Sequence, residues 1–114
     1  MLRRLEEKDA PLMLEWMHDE TVNCWFRYPF TNVTLEKAII FIKYSFDEEN
    51  QHFAITDSND EYLGTISLKH ISEKDHNAEF VIAARKKLWD TGFAERAATE
   101  IIHYAFYTYH LYNH

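Results

Sequence analysis

From Ala94 to Tyr109 the side chains Ala94, Ala97, Ala98, Ile101, Ile102, Ala105, Phe106 and Tyr109 recur at three- and four-residue steps. That spacing is one face of an α-helix about four turns long. Half of the face is alanine, so the helix axis can lie close to a sheet. The opposite side carries Glu95, Thr99, Glu100, His103 and Tyr107, which suits solvent. Asp90-Thr91-Gly92 stands immediately before the helix. Upstream, Ala78 to Ala83 is a short run apolar enough for a central strand. A strand, a turn and a packed helix from Asn77 to Tyr109 form the frame around which the rest must fold.

The remaining segments alternate between the two periods. Leu2 to Leu5 reads as a first strand. Asp9 caps a helix with Pro11 in its first turn and Leu12, Met13, Trp16 and Met17 at helical spacing. His18 to Phe30 is irregular and aromatic-rich. Thr34 caps a second helix with Leu35, Ala38, Ile39, Ile42 and Phe46 on one face. His52 to Thr56 and Tyr62 to Ile71 form an antiparallel hairpin across Asp57-Ser58-Asn59-Asp60, with Leu63, Thr65, Ser67 and Lys69 alternating against Gly64, Ile66, Leu68 and His70. Glu73 to His76 is a further turn. Two glycines and two prolines are too few for a flexible linker, so long regular elements are expected.

Composition removes several function classes. The 114 residues suffice for one core. No apolar run approaches the ~20 residues that span a bilayer, and the N-terminus turns acidic where a signal peptide would be apolar, so no membrane partner is expected. The single Cys24 cannot form an internal disulfide, which points to a reducing, cytoplasmic setting. A net charge of −7 without a Lys/Arg stripe argues against a nucleic-acid partner.

The turn before the last helix carries the chemistry. A helix N-terminus presents unpaired N–H groups and a positive dipole end to an anion. Gly92 lets the backbone turn tightly and approach a ligand, and Arg85-Lys86-Lys87 adds positive charge. On spacing alone, a plain strand-to-helix connection fits the same residues.

The run Ala78-Glu79-Phe80-Val81-Ile82, followed by Leu88-Trp89-Asp90-Thr91-Gly92-Phe93-Ala94-Glu95-Arg96-Ala97, resembles the coenzyme-A motif of the GNAT N-acetyltransferases. It is most similar to the branch of ribosomal-protein N-terminal and spermidine acetyltransferases. The element order, the early Trp16 with Asp19, and the aromatic interhelix segment are similar too. The resemblance implies an α/β (α+β) fold with a mixed, mostly antiparallel sheet flanked by helices. It implies acetyl-CoA as co-substrate, no metal, and a primary amine as acceptor. Carried over by position, the backbone of Val81, Ile82 and Ala83 pairs with the pantetheine arm. Backbone N–H groups from Lys87 through Leu88, Trp89, Asp90, Thr91 and Gly92 to Phe93 and Ala94 hold the pyrophosphate, with Trp89 and Phe93 packing the turn. A strand N–H stabilises the oxyanion formed when an amine attacks the thioester directly. Glu79 stands where the family often has a base or a water-orienting group; a carboxylate that only orients its neighbours fits the position equally.

Two departures qualify the resemblance. The family's first turn glycine is Asp90 here, and a carboxylate beside a pyrophosphate is repelled: two unit charges ~4 Å apart interact by about 4 kcal/mol at an intermediate dielectric. The chain also stops at Tyr112-Asn113-His114, where the family begins a fifth strand, so residues 1–114 are expected to form an incomplete domain with its cofactor turn and helix at 85–109. The general acid then has no assignable residue, and a homodimer would cover the exposed strand edge. A degenerate homologue acting through protein association is the alternative function. Trp25 and Tyr28, beside Phe26 and Phe30, occupy the family's acceptor-binding segment, with Asp19 and Glu20 able to attract an amine; packing roles fit Phe26 and Phe30. The acceptor's identity stays open among protein N-termini, polyamines, amino sugars and antibiotic amines. Among seven histidines, His103, His110 and His114 share helical spacing but lack a completing ligand. Cys24 lacks an activating partner.

Overall fold

The period-2 segments pair into one antiparallel sheet of order β1-β2-β3-β4. Its strands are β1 (Leu2–Arg4), β2 (Gln51–Thr56), β3 (Tyr62–Ser72) and β4 (Asn77–Ala84). The helices are α1 (Ala10–Met17), the short α2 (Glu20–Asn23), α3 (Leu35–Lys43) and α4 (Phe93–Tyr109). The structure is a computed structural model that describes residues 2–23, 30–72, 74–88 and 91–109. One core cluster joins Met13, Trp16 and Met17 of α1, Ala38 and Ile42 of α3, and Ala54, Tyr62 and Ala83 of the sheet. A second joins Ile55, Ile66, Leu68 and Ala84 to Ala97, Ile101 and Ala105 of α4. The sheet therefore separates α1 and α3 from α4, a two-sided burial that matches the apolar content of β3.

Local signals act as their chemistry requires. Thr34 Oγ1 accepts from Lys37 N at 3.3 Å and starts α3. In the β2–β3 turn, Asp57 Oδ1 accepts from Asn59 N (2.8 Å) and Glu61 N (3.0 Å), and Asp60 takes φ 63°.

The sheet with its flanking helices is the α/β (α+β) arrangement expected, and every strand pair among the described residues is antiparallel. Four expectations change. The apolar strand expected to be central lies at the edge, since β4 pairs only with β3 among the described residues. Asp9 makes no side-chain cap on α1. Its carboxylate is buried, accepts from Glu6 N at 2.9 Å, and forms a two-pronged pair with Arg3 at 2.8 and 2.7 Å. The Arg3 guanidinium, six residues away, outcompetes the cap because charge-assisted bidentate bonds are the stronger ones. Leu63 leaves the alternating row, since a bulge between Ile55 and Thr56 turns it toward the α4 cluster. Finally, Ile102 and Phe106 are exposed, whereas Tyr104 packs on Phe53 and its hydroxyl donates to Gln51 Oε1 at 2.7 Å. The buried arc of α4 runs through Ala97, Ile101 and Ala105, and Ile102 and Phe106 lie roughly 100° or more from its centre.

Position 64 fixes how β4 lies on β3. A Cβ built on Gly64 would stand 2.8 Å from Ala84 Cβ and 2.9 Å from Ala83 O. Only glycine permits that approach.

Candidate functional site

β4 runs straight into the turn. Arg85 N donates to Leu63 O at 2.9 Å, closing the strand end, and a 3-10 turn follows at Lys86–Leu88. Leu88 is buried against the α4 cluster and anchors the turn. Thr91 Oγ1 donates to Leu88 O at 2.6 Å. Gly92 has φ 83°, with nothing within 4 Å of where a Cβ would be. Its glycine is therefore demanded by backbone conformation, and the space beside it is open. Arg96 N bonds Gly92 O at 3.2 Å, the first link of the α4 ladder. Helix geometry then leaves the N–H groups of Phe93, Ala94 and Glu95 without intrahelical acceptors.

Two expectations about this turn are sharpened. Leu88 N is already bonded to Arg85 O at 2.9 Å, so it is not a free donor for an anion. The basic triplet is engaged elsewhere. Arg85 bridges Glu15 (2.6 Å) and Glu61 (2.9 Å), Lys87 reaches Glu61 (2.6 Å), and Lys86 lies 3.6 Å from Asp19. These contacts hold the Glu61 carboxyl below its usual range, first through Lys87 and then Arg85. The positive charge at the turn is thus largely matched by carboxylates, and the backbone is its main anion-directed feature. Trp89 and Asp90 lie outside the described residues, as do Cys24, Trp25 and Tyr28.

Along β4, Val81 and Ala83 face the α1/α3 side, whereas Ile82 packs with the α4 cluster. Glu79 shares the parity of Val81 and Ala83, is exposed, and pairs in register with Lys69 of β3. On this face lies a cavity of about 370 Å³. Its walls include Trp16 and Met17 of α1, Lys37 and Phe41 of α3, and His52, Thr65, Ser67, Lys69, Val81 and Ala83 of the sheet.

The sequence reading missed this cavity. Thr65, Ser67 and Lys69 were visible as an alternating row, but nothing local says that the row faces helices instead of water. His52 sits opposite Ser67 in register, its Nδ1 bonds Ser67 Oγ at 2.5 Å, and Phe41 meets its ring edge-on at 4.8 Å. Burial, reinforced by the nearby Lys69 charge, pushes the His52 pKa down to about 4, so the ring is neutral at pH 7. Trp16 Nε1 donates to Tyr62 OH at 3.0 Å, and Tyr62 OH lies 2.6 Å from Thr65 Oγ1.

Among the described residues, no group of three or more His, Cys, Asp or Glu side chains is placed to hold a metal, and no helix is long and apolar enough to cross a membrane. A family model of the acetyltransferase (GNAT) domain matches residues 1–112. No curated protein matches the chain. Among solved structures, spermidine N-acetyltransferase from Vibrio cholerae in complex with CoA and spermine superposes with TM-score 0.82 at 22% identity, over 97% of this chain and 66% of that one. An acetyltransferase (GNAT family) from Bacillus anthracis gives 0.73 at 24% identity, over 92% and 61%. A structure described as a probable acetyltransferase gives 0.82 at 21%, over 96% and 64%. The chain thus spans somewhat less than two thirds of the length of these proteins.

Proposed function

The chain belongs to the GNAT acetyltransferase family, and on that premise we propose that residues 77–94 bind acetyl-CoA and that the domain transfers the acetyl group to a primary amine. One observation carries this reading: β4, whose second edge pairs with no described residue, is followed within a short stretch of chain by Gly92 at φ 83° and the N-terminus of α4. An extended pantetheine arm pairs with the Val81–Ile82–Ala83 backbone as an added strand would. The amides of Phe93 and Ala94 receive the pyrophosphate, with Gly92 keeping a side chain out of the way and Leu88 holding the turn to the core. Lys87 and Thr91 lie in that turn.

Acetyl-CoA supplies a thioester carbonyl for the amine to attack and a thiolate to leave. The chain's part is to align the amine, donate a β4 N–H to the developing oxyanion, and take up the amine's proton. Glu79, exposed and on the cavity side of β4, is the acceptor of that proton, directly or through a water. The Vibrio cholerae relative was solved with CoA and spermine, so a polyamine is one candidate acceptor to test against others.

Calorimetric titration with CoA tests the reading on the native chain and on Asp90→Gly. Micromolar binding is expected for Asp90→Gly, with the native chain at least tenfold weaker because its carboxylate opposes the pyrophosphate. Absence of binding by both chains refutes it.

A second reading is a non-catalytic homologue that self-associates. The β4 edge, which pairs with no described residue, and the exposed Ile102, Phe106 and Tyr107 favour it. Sedimentation showing a monomer at all concentrations would exclude it.

A further inference from the structure

The cavity beside β4 has a chemistry of its own. The chain is acidic overall, at −7, yet among the described residues the charged side chains lining this cavity are two lysines, Lys37 and Lys69, while Glu79, in register with Lys69, lies outside that lining. Neither lysine is ion-paired with a carboxylate among the described residues. The remaining walls are aromatic and thioether groups from α1 and α3, with Thr65, Ser67 and a neutral His52 as hydrogen-bonding groups. The volume of about 370 Å³ lies in the ~300–1,000 Å³ range of small-molecule pockets.

A polyamine would be poorly matched there. It would bring several positive charges to a wall whose described fixed charges are also positive, with Glu79, in register with Lys69 but outside the described lining, a single carboxylate against them. An amine that also carries an anionic group and an apolar body meets the opposite conditions. Its apolar part fills the space between Trp16, Met17 and Phe41, and its anion is offset by Lys69 and Lys37.

We propose that this cavity binds an amphiphilic amine bearing a carboxylate and a large apolar group, the chemistry of a hydrophobic α-amino acid, in preference to a polyamine. The identification of this ligand as the acetyl acceptor rests on the acetyl-transfer reading above. The cavity adjoins the side chains of Val81 and Ala83, whose backbones that reading assigns to the acetyl donor.

The test is calorimetric titration of the native chain with L-phenylalanine, L-phenylalaninamide and spermidine, with CoA titrated separately. Phenylalanine is expected to bind at least tenfold more tightly than spermidine or the amide. Lys69→Glu should lower phenylalanine affinity at least tenfold and raise that for spermidine, while Lys69→Met, which keeps the apolar stem, should lower phenylalanine affinity without favouring spermidine. Spermidine binding as tightly as phenylalanine, equal binding of acid and amide, or binding of none of the three overturns the proposal. Loss of CoA binding with phenylalanine binding retained would instead refute the transfer reading and leave the cavity assignment standing.

Discussion

Replacing Gly64 by alanine adds one methyl group where β3 and β4 touch. The new Cβ would meet Ala84 Cβ at 2.8 Å, Ala83 O at 2.9 Å and Ala84 Cα at 2.9 Å. Real carbon–carbon contacts begin near ~3.5 Å, and two of these three atoms are backbone, so no flexible side chain can swing away. Overpacking of this kind costs about 1–3 kcal/mol. Alanine also stiffens the unfolded chain, which returns roughly 0.4–1 kcal/mol. The net expectation is a loss of about 1–2 kcal/mol. With a urea dependence of roughly 1–3 kcal/mol per molar, the unfolding midpoint should fall by about 0.5–1 M. The double variant Gly64→Ala/Ala84→Gly removes the Cβ–Cβ contact but keeps both backbone contacts, so it should recover little. A neutral or stabilising Gly64→Ala, or full recovery in the double variant, would refute the claim that backbone separation fixes this position.

Acidification should weaken the fold through His52. Its folded pKa, about 4, lies below the ordinary 6.5, so the unfolded chain binds the extra proton. Stability is therefore intact above pH 6.5 and declines as the pH falls toward 4, by a ceiling of about 3 kcal/mol that solvent access to the ring reduces to roughly 1–2 kcal/mol. Urea titrations at pH 7 and 4.5 should show the decline, and His52→Asn should remove most of it. Arg3→Met should cost about 3–5 kcal/mol, because the buried Asp9 loses the partner of its two short contacts. Thermal melts should show Arg3→Met/Asp9→Asn recovering much of the loss; no recovery would mean that the pair is not the source. Gly92→Ala should cost only about 1–2 kcal/mol of stability, from its positive φ alone, yet weaken CoA binding more than tenfold in the Asp90→Gly background. Equal small effects on both would argue against close ligand approach at that turn.

What was legible in the sequence is what local chemistry decides. Thr34 capping α3, the Asp57 turn of the β2–β3 hairpin and the alanine-rich face of α4 each follow from residues within a few positions of one another. What was not legible depends on how separate elements pack, often between partners far along the chain. Arg85 lies 70 residues from Glu15 and 24 from Glu61, so a basic triplet that looks poised for phosphates is held by carboxylates instead. Arg3 captures Asp9 from its capping role through a geometry only the β1–α1 packing creates. The row Thr65, Ser67, Lys69 has the same period whether it faces water or a cavity. Only the placement of α1 and α3 over that face distinguishes the two.

The same distinction explains why β4 can hold an open edge. Among the described residues it is paired from one side: its register runs from Gly64↔Ala84 to Ser72↔Asn77, and the contact at Gly64 admits no slack. Below it, Ala78 and Ala84 are buried in the α4 cluster; on the opposite face Ala83 is buried against α1 and α3. The outward backbone groups are therefore presented at fixed spacing whether or not anything pairs with them. A strand held in this way forfeits little further conformational freedom on receiving an extended partner, which is the advantage of preorganisation. The apolar composition of β4 fits that role, because a strand that is to be covered on its outer edge must tolerate burial there as well. On the proposed reading, a pantetheine arm would compete with a strand from a second copy for that edge. Saturating CoA should therefore dissociate any dimer that forms through β4, and a dimer unaffected by bound CoA must use another surface.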